Sequence, residues 1–329
     1  MTLDEARVLA TECLLANGCD AANAEAIADS MIRAEADVCE SHGLFRVPGY
    51  LAALESGKVN GKSDPKIETS APGILRMDGD GGFTPLALLR GEKPLAELAK
   101  KTGIAALAIV NTYHVSALWQ EVESLAEHGL AALAVHASKA AVAPFGGRKP
   151  FFGTDPMAFA WPRRDGPPMA FDQASSVRAK GEVLVAARDG DEMEPGVGIG
   201  PDGAHTTDPN QILKGALLTF GGYKGGSIGL IIELLSSSLS GEWAGYEQKE
   251  WDNNDGGPTR GGELIVAFDP DRFGEPGGWL EHSEALFEEL LSQEGTRLPG
   301  DRRLANREKT LMDGISIPQS LYDRIVELS

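Results

Sequence analysis

From Ile104 the chain runs through a short apolar segment, IAALAIV, then polar NTYHVSA, then a helical stretch through His128, then a second apolar run, LAALAVHA. Apolar runs of this length, separated by a helix, read as strand, helix, strand, and that succession implies α/β or α+β packing. Further strands are expected at MAFAW and GGELIVAFDP. The first forty residues read as two amphipathic helices. Thr2 and Glu5 have capping-box spacing, Gly18 ends the first helix, and Asp20 caps the second. A helix is expected within Asp172 to Arg188, a buried helix in SIGLIIELLSSSLSG, and three helices near Trp279 to Ser292, Asp301 to Met312 and Pro318 to Leu328. The Gly-, Pro- and Asp-rich stretch from Asp189 to Asn210 reads as a long loop. There is no internal repeat or low-complexity tract.

With 329 residues the chain is one large domain or two interleaved ones. Charged residues at 24% and hydrophobic ones at 42% exclude a disordered, collagenous or coiled-coil chain. Thirty basic against 49 acidic residues give a formal charge of −19, so a basic footprint for nucleic acid is absent. No apolar run reaches the length of a membrane span. The start, MTLDEARVLA, lacks a basic n-region and apolar core, and the expected location is the cytoplasm. Cys13, Cys19 and Cys39 cannot all pair within the chain, and they read as reduced core thiols. No metal site is read from the sequence.

A phosphate loop of the G-x-x-x-x-G-K-[ST] type is absent. The string GIGPDG, with Gly198, Gly200 and Gly203, sits inside the long loop and reads as a surface turn, which argues against a Rossmann site. The segment CESHGLFRVPGY places Ser41, His42 and Arg46 in a loop between helices, where Gly43 and Pro48 interrupt regular structure. A histidine exchanges protons near neutral pH, and an arginine four residues on can grip a carboxylate with two nitrogens. On spacing alone a loop histidine with a nearby arginine is more often structural or solvated. His114 lies between a strand and a helix whose N-terminus could receive phosphate, or it caps that helix or sits in a core. Gly153 and Thr154 suit a ligand-facing turn, Lys224 is flanked by glycines in FGGYKGGS, and RLPGDRR puts three arginines into an acidic chain. Each of these also has a bland reading as a turn or a solvated helix start.

Taken together and in order, SHGLFRVPGY, NTYHVSALW, GGRKPFFGTDPMAFAWP, DQASS, FGGYKGGS and GGELIVAFDP resemble the malate/L-lactate dehydrogenase type 2 family, NAD(P)-dependent oxidoreductases without a Rossmann fold. Within it, GGRKPFFGTDP, DQASS, GGELIVAFDP and RLPGDRRLANR are most similar to the Δ1-piperideine-2-carboxylate/Δ1-pyrroline-2-carboxylate reductases of proline and lysine metabolism. The resemblance implies His42 as proton donor, Ser41 as its charge-relay partner, and Arg46 and Thr154 as substrate ligands. For the cofactor, NADPH or NADH, it implies His114, Val115, Ser116, Ala117 and Leu118; Asp172, Gln173 and Ala174; Lys180, Tyr223 and Lys224; and Arg297, Leu298, Pro299, Gly300, Asp301, Arg302 and Arg303. Two positions depart from the imine-reductase pattern. Lys180 stands where histidine is frequent, and Tyr223 is common in the malate, lactate and ureidoglycolate branches, which leaves a 2-hydroxy acid dehydrogenase as the alternative. The implied fold is mixed α+β: a non-Rossmann NAD(P)-binding domain with a largely antiparallel sheet (101–269), and a helical substrate and dimerisation region built from both chain ends (1–100 and 270–329). A homodimer is implied.

Overall fold

The Thr2 hydroxyl accepts from the Glu5 amide while the Glu5 carboxylate accepts from the Thr2 amide, the reciprocal cap that starts helix α1 (Leu3–Ala16). Gly18, at φ +102°, turns the chain, and Asp20 accepts from the Asn23 amide to begin α2 (Ala21–Ala36). These local signals act as the sequence predicts. The computed structural model describes residues 1–115 and 117–329, so Ser116 lies outside the described residues.

After α2 come two 3-10 turns, Glu40–His42 and Leu44–Arg46. Next are α3 (Val47–Glu55), β1 (Lys66–Ala71), β2 (Ile74–Asp78), α4 (Thr84–Thr102), β3 (Ile104–Val110), β4 (Tyr113–His114), α5 (Trp119–Glu127) and β5 (Ala131–His136). The middle of the chain supplies β6 (Met157–Trp161), β7 (Met169–Gln173), α6 (Lys180–Asp189), β8 (Gly198–Ile199), β9 (His205–Thr206), α7 (Pro209–Lys214) and β10 (Ala216–Leu217). Then follow α8 (Tyr223–Glu233), which runs into a π-turn at Leu234–Ser238, α9 (Gly245–Trp251), β11 (Thr259–Arg260) and β12 (Glu263–Phe268). The end is helical: α10 (Gly278–Leu291), α11 (Asp301–Asp313) and α12 (Gln319–Leu328).

Seven strands form one sheet in the order β1-β2-β3-β12-β5-β6-β7, in which the β2–β3 pair is parallel and the other neighbours are antiparallel. The expected mixed fold with a largely antiparallel sheet is therefore what forms. α4 and α5 cover one face through Leu95, Leu118, Val122 and Leu125 against Leu107, Ile109 and Ile265. Ile232, with Ile228 and Leu235 beside it, covers the other face against Val135 and Leu264. A second core joins the two chain ends, with Leu14, Ile27, Tyr50, Phe83 and Ile325 in one cluster. β1 and β2 extend the central sheet with residues before 100, a stretch expected in the helical region.

Two further expectations change. The Gly-rich loop from Asp189 contains the β8–β9 hairpin, and GIGPDG is its turn, closed by the Gly203 amide donating to the Gly200 carbonyl at 2.9 Å. The helix in SIGLIIELLSSSLSG is buried on one side only: Leu230, Ile231, Leu234 and Leu239 are exposed.

Candidate active site

Glu35, near the end of α2, accepts from the Leu44 amide at 2.7 Å and so pins the two 3-10 turns that carry Ser41, His42 and Arg46. Pro48 does not interrupt the next helix; it occupies the first turn of α3, where its missing N–H costs nothing. Ser41 Oγ lies 3.0 Å from His42 Nδ1, and Cys39 Sγ lies 3.5 Å from the same nitrogen. That fixes the ring and leaves Nε2 for exchange with a ligand. Arg46 Nε donates to the Ser41 carbonyl at 2.5 Å, while among the described residues its terminal nitrogens have no hydrogen-bond or ion-pair partner. The structure thus brings together the Ser41, His42 and Arg46 set read from the sequence.

Desolvation in the cleft, then the charges of Arg46 and His114, push the His42 imidazole down to about 3. His42 is neutral at physiological pH in this arrangement. Gly181, in the first turn of α6, abuts the Ser41 side chain, which brings Lys180 to the same place. Lys180 titrates below an ordinary lysine because of desolvation and the neighbouring charges of Lys139 and Arg46. Lys139 is itself held by Asp252 at 2.6 Å, and Lys58 bridges Asp252 and Asp255 at 3.0 and 2.7 Å. A chain of charge −19 therefore gathers cations at one cleft, a field suited to an anionic ligand. Lys139 and Asp252 had no sequence signal, since they reach the cleft from separate parts of the chain, and Cys39, read only as a core thiol, sits beside the His42 ring.

Thr154 lies in the turn after Phe152 and receives the Ser175 amide at 2.7 Å on its carbonyl; its own amide donates to Ser138 Oγ at 3.0 Å. Behind it Asp155, fully buried at φ +39°, receives the Ser138 amide. Burial and the neighbouring Glu233 raise the Asp155 carboxyl well above the usual range.

At the α5 N-terminus one amide is already engaged. Asp172 Oδ2 already accepts from the Trp119 amide at 3.3 Å, and desolvation holds that carboxyl up at about 6. His114 is buried, as the core reading allowed. Its Nε2 is 3.2 Å from Glu263 and 3.9 Å from Glu121, and its ring stacks on His136 with centroids 3.9 Å apart. Ala117 and Leu118 are buried too, so a ligand there meets their backbone; Val115 packs against the helical core.

Asp172, Gln173 and Ala174 line a cleft of about 380 Å³ together with Ser176, Val177 and Phe220, just ahead of Tyr223 and Lys224. Tyr223 and Lys224 are exposed at the start of α8. A Cβ at Gly225 would come within 2.5 Å of the Phe220 carbonyl, so the glycine is what lets this helix start close in. The 297–303 loop rests on β7 beside Asp172: a Cβ at Gly300 would meet the Ala170 carbonyl at 2.7 Å. Leu298 is buried, Pro299 is exposed, and Asp301 receives the Leu298 amide at 2.8 Å. Arg297 and Arg302 point to solvent. Arg303 does not: it contacts Asp37 and Glu123 at 3.2 Å each and lies over the Trp119 ring at 5.0 Å, so it ties α11 to α2 and α5.

A family model described as malate/L-lactate dehydrogenase matches residues 1–326. The chain belongs to the malate/L-lactate dehydrogenase family. It is 44% identical to a Δ1-pyrroline-2-carboxylate/Δ1-piperideine-2-carboxylate reductase of Pseudomonas aeruginosa, over 100% of this chain and 98% of the relative. It is 43% identical to a Δ1-pyrroline-2-carboxylate reductase of Ancylobacter novellus, over 100% of this chain and 97% of that one. The crystal structure of Δ1-piperideine-2-carboxylate reductase from Pseudomonas syringae superposes with a TM-score of 0.95 at 37% identity, covering 100% of this chain and 99% of that one. As a member of the malate/L-lactate dehydrogenase family, the chain is a nicotinamide-dependent oxidoreductase.

Proposed function

We propose that this chain reduces a cyclic imine bearing a 2-carboxylate, Δ1-pyrroline-2-carboxylate or Δ1-piperideine-2-carboxylate, with NADPH, to give L-proline or L-pipecolate. The observation that carries the reading is the pairing of two Arg46 terminal nitrogens, uncommitted among the described residues, with an imidazole oriented by Ser41. Full-length relatives with these substrates in their names support it.

A planar carboxylate takes two parallel hydrogen bonds from a guanidinium, so Arg46 anchors the substrate and fixes its ring beside His42. Thr154 closes the other side. Reduction adds one hydride to the imine carbon and one proton to nitrogen, and bound nicotinamide supplies the hydride. The cleft at Asp172, Gln173 and Ala174, the glycine-flanked Lys224 with Tyr223, the backbone near Leu118 and the 297–303 loop fit a dinucleotide, with Lys180 at the substrate end. Arg297 and Arg302, exposed and free of ion pairs among the described residues, suit the extra phosphate of NADPH. His42 supplies the proton on nitrogen. Burial first, and the charge of Arg46 second, keep it unprotonated at neutral pH; a substrate carboxylate on Arg46 offsets the second of these and raises the imidazole from that low value. Substrate binding thus prepares its own acid.

The helical substrate region from both chain ends and the sheet-bearing cofactor region meet at this cleft. The apolar stripe of Leu230, Ile231, Leu234 and Leu239 is the face on which a second copy docks to form a homodimer. The competing substrate is an open-chain 2-oxo acid, which offers the same carboxylate; Tyr223 is the residue that favours it. Cofactor absorbance with NADPH and NADH against both imines, pyruvate, oxaloacetate and phenylpyruvate decides. Rapid NADPH loss with an imine supports the proposal, and preference for an open-chain acid overturns it.

A further inference from the structure

Glu263 opens β12 in the middle of the sheet, and its register partner on β5 is His136. A carboxylate fully buried in a sheet centre needs donors. Among the described residues neither Glu263 oxygen has a donor in hydrogen-bonding geometry, and the nearest is His114 Nε2 at 3.2 Å. The remaining neighbour is another carboxyl. Glu121, from the first turn of α5, brings one carboxylate oxygen within 4.8 Å of an oxygen of Glu263 and of a His114 ring nitrogen. Two buried carboxyls side by side are tolerable only when a proton lies between them. Burial and the neighbouring carboxyl raise Glu121 well above the usual range, and burial holds Glu263 up at about 7.

The pair has an outlet on each side. Glu121 lines a cavity of about 520 Å³ between α1–α2 and α4–α5, whose wall also carries Arg7, Asp29, Arg33 and Glu92. Those charged groups mark a wet mouth. On the other side His114 lies close enough to His42 and Asp172 for its charge to act on both. His136, stacked on His114, is kept neutral by burial and by that neighbour, and its Nδ1 faces the Gly262 carbonyl at 2.9 Å. It is a wall of the path and holds no proton for it.

We propose that Glu121 and Glu263 hold a proton in common and, through His114, resupply the active-site imidazole from water in that cavity. The inference rests on the imine-reductase reading. Each turnover moves one proton from His42 to the substrate nitrogen; His114 returns one to His42, the carboxyl pair returns one to His114, and cavity water reloads the pair. Both glutamates act through His114 and touch no substrate, so they are positioning and supply groups.

The test is Glu263→Gln in the full chain with NADPH and a cyclic imine, following kcat and KM from pH 6 to pH 10 and NADPH affinity by nicotinamide fluorescence. The expected result is a kcat lowered about 10-fold or more, within the range of a lost proton-transfer group, with KM and NADPH affinity unchanged. The decline of kcat with rising pH should also begin at lower pH, because the proton then comes from bulk water alone. Glu263→Asp should restore part of the rate. An unchanged kcat and pH limb, or a parallel loss of KM and NADPH affinity with the limb in place, overturns the proposal. If Glu263→Gln does not fold, Glu121→Gln, at the cavity end, carries the same readouts. A wild-type protein inactive with both imines would instead overturn the function on which the inference rests.

Discussion

Gly43 occupies a position closed to any side chain: a Cβ there would lie 2.0 Å from Glu35 Oε1, the atom that receives the Leu44 amide. The glycine lets the two short turns fold tightly enough to put Ser41, His42 and Arg46 on one surface. Gly43→Ala should displace either Glu35 or the loop. A shift of about 1 Å in a reacting group costs on the order of 100-fold in rate. We therefore expect kcat to fall by that order while the overall fold survives, with Tm and kcat measured together. At this scale the sequence was most informative. Ser41, His42 and Arg46 are neighbours in the chain, so a local reading could group them. His114, Glu121 and Glu263 meet only because a helix and two strands place them together, and no spacing announces that.

Helix α8 runs from the Tyr223–Lys224 turn to buried acids behind Thr154. Glu233 near its end accepts the Gly245 amide on both carboxylate oxygens, at 3.1 and 3.0 Å, and shares its surroundings with Asp155 behind Thr154. Burial holds the Glu233 carboxyl up at about 7, against 4.5 for an ordinary glutamate. The folded state then binds more protons than the unfolded chain between those values, so this group's contribution to stability is lost as pH rises through that window. Glu233→Gln removes the titration. The Tm of the variant relative to wild type should therefore rise between pH 5 and pH 8, by roughly 2–4 °C for each kcal/mol involved; a pH-independent difference would contradict the assignment. His42 and His136 titrate in the opposite sense but cancel in this comparison. The capped helices and apolar strands were legible because their signals are local. β1 was not, as KIETSA is an exposed edge strand, and Gly91 with Pro94 masks the long helix α4. Hydropathy also misread α8 as a core helix, since an exposed apolar stripe reads the same in sequence as one facing a core.

For the whole molecule, acid excess and local basicity work at different ranges. A net charge of −19 keeps the surface soluble, and screening over about 10 Å lets the Arg46, Lys180 and Lys139 cluster set the field inside the cleft. The exposed apolar stripe begins at Leu230, six residues beyond Lys224 on the same helix, so the proposed dimer face and the proposed cofactor site share an element. Leu234→Glu should shift the protein from dimer to monomer in sedimentation and weaken NADPH binding with it. A monomeric wild type would remove this link. The central claim is that Arg46 holds a substrate carboxylate beside His42, and a direct measurement compares Δ1-pyrroline-2-carboxylate with Δ1-pyrroline, which lacks the carboxylate, in wild type and Arg46→Ala. The account predicts that wild type prefers the carboxylate strongly, that Arg46→Ala raises KM for it by an order of magnitude or more, about 1.4 kcal/mol per tenfold, and that the two imines then become nearly equivalent. An Arg46→Ala enzyme that keeps the wild-type preference would contradict it.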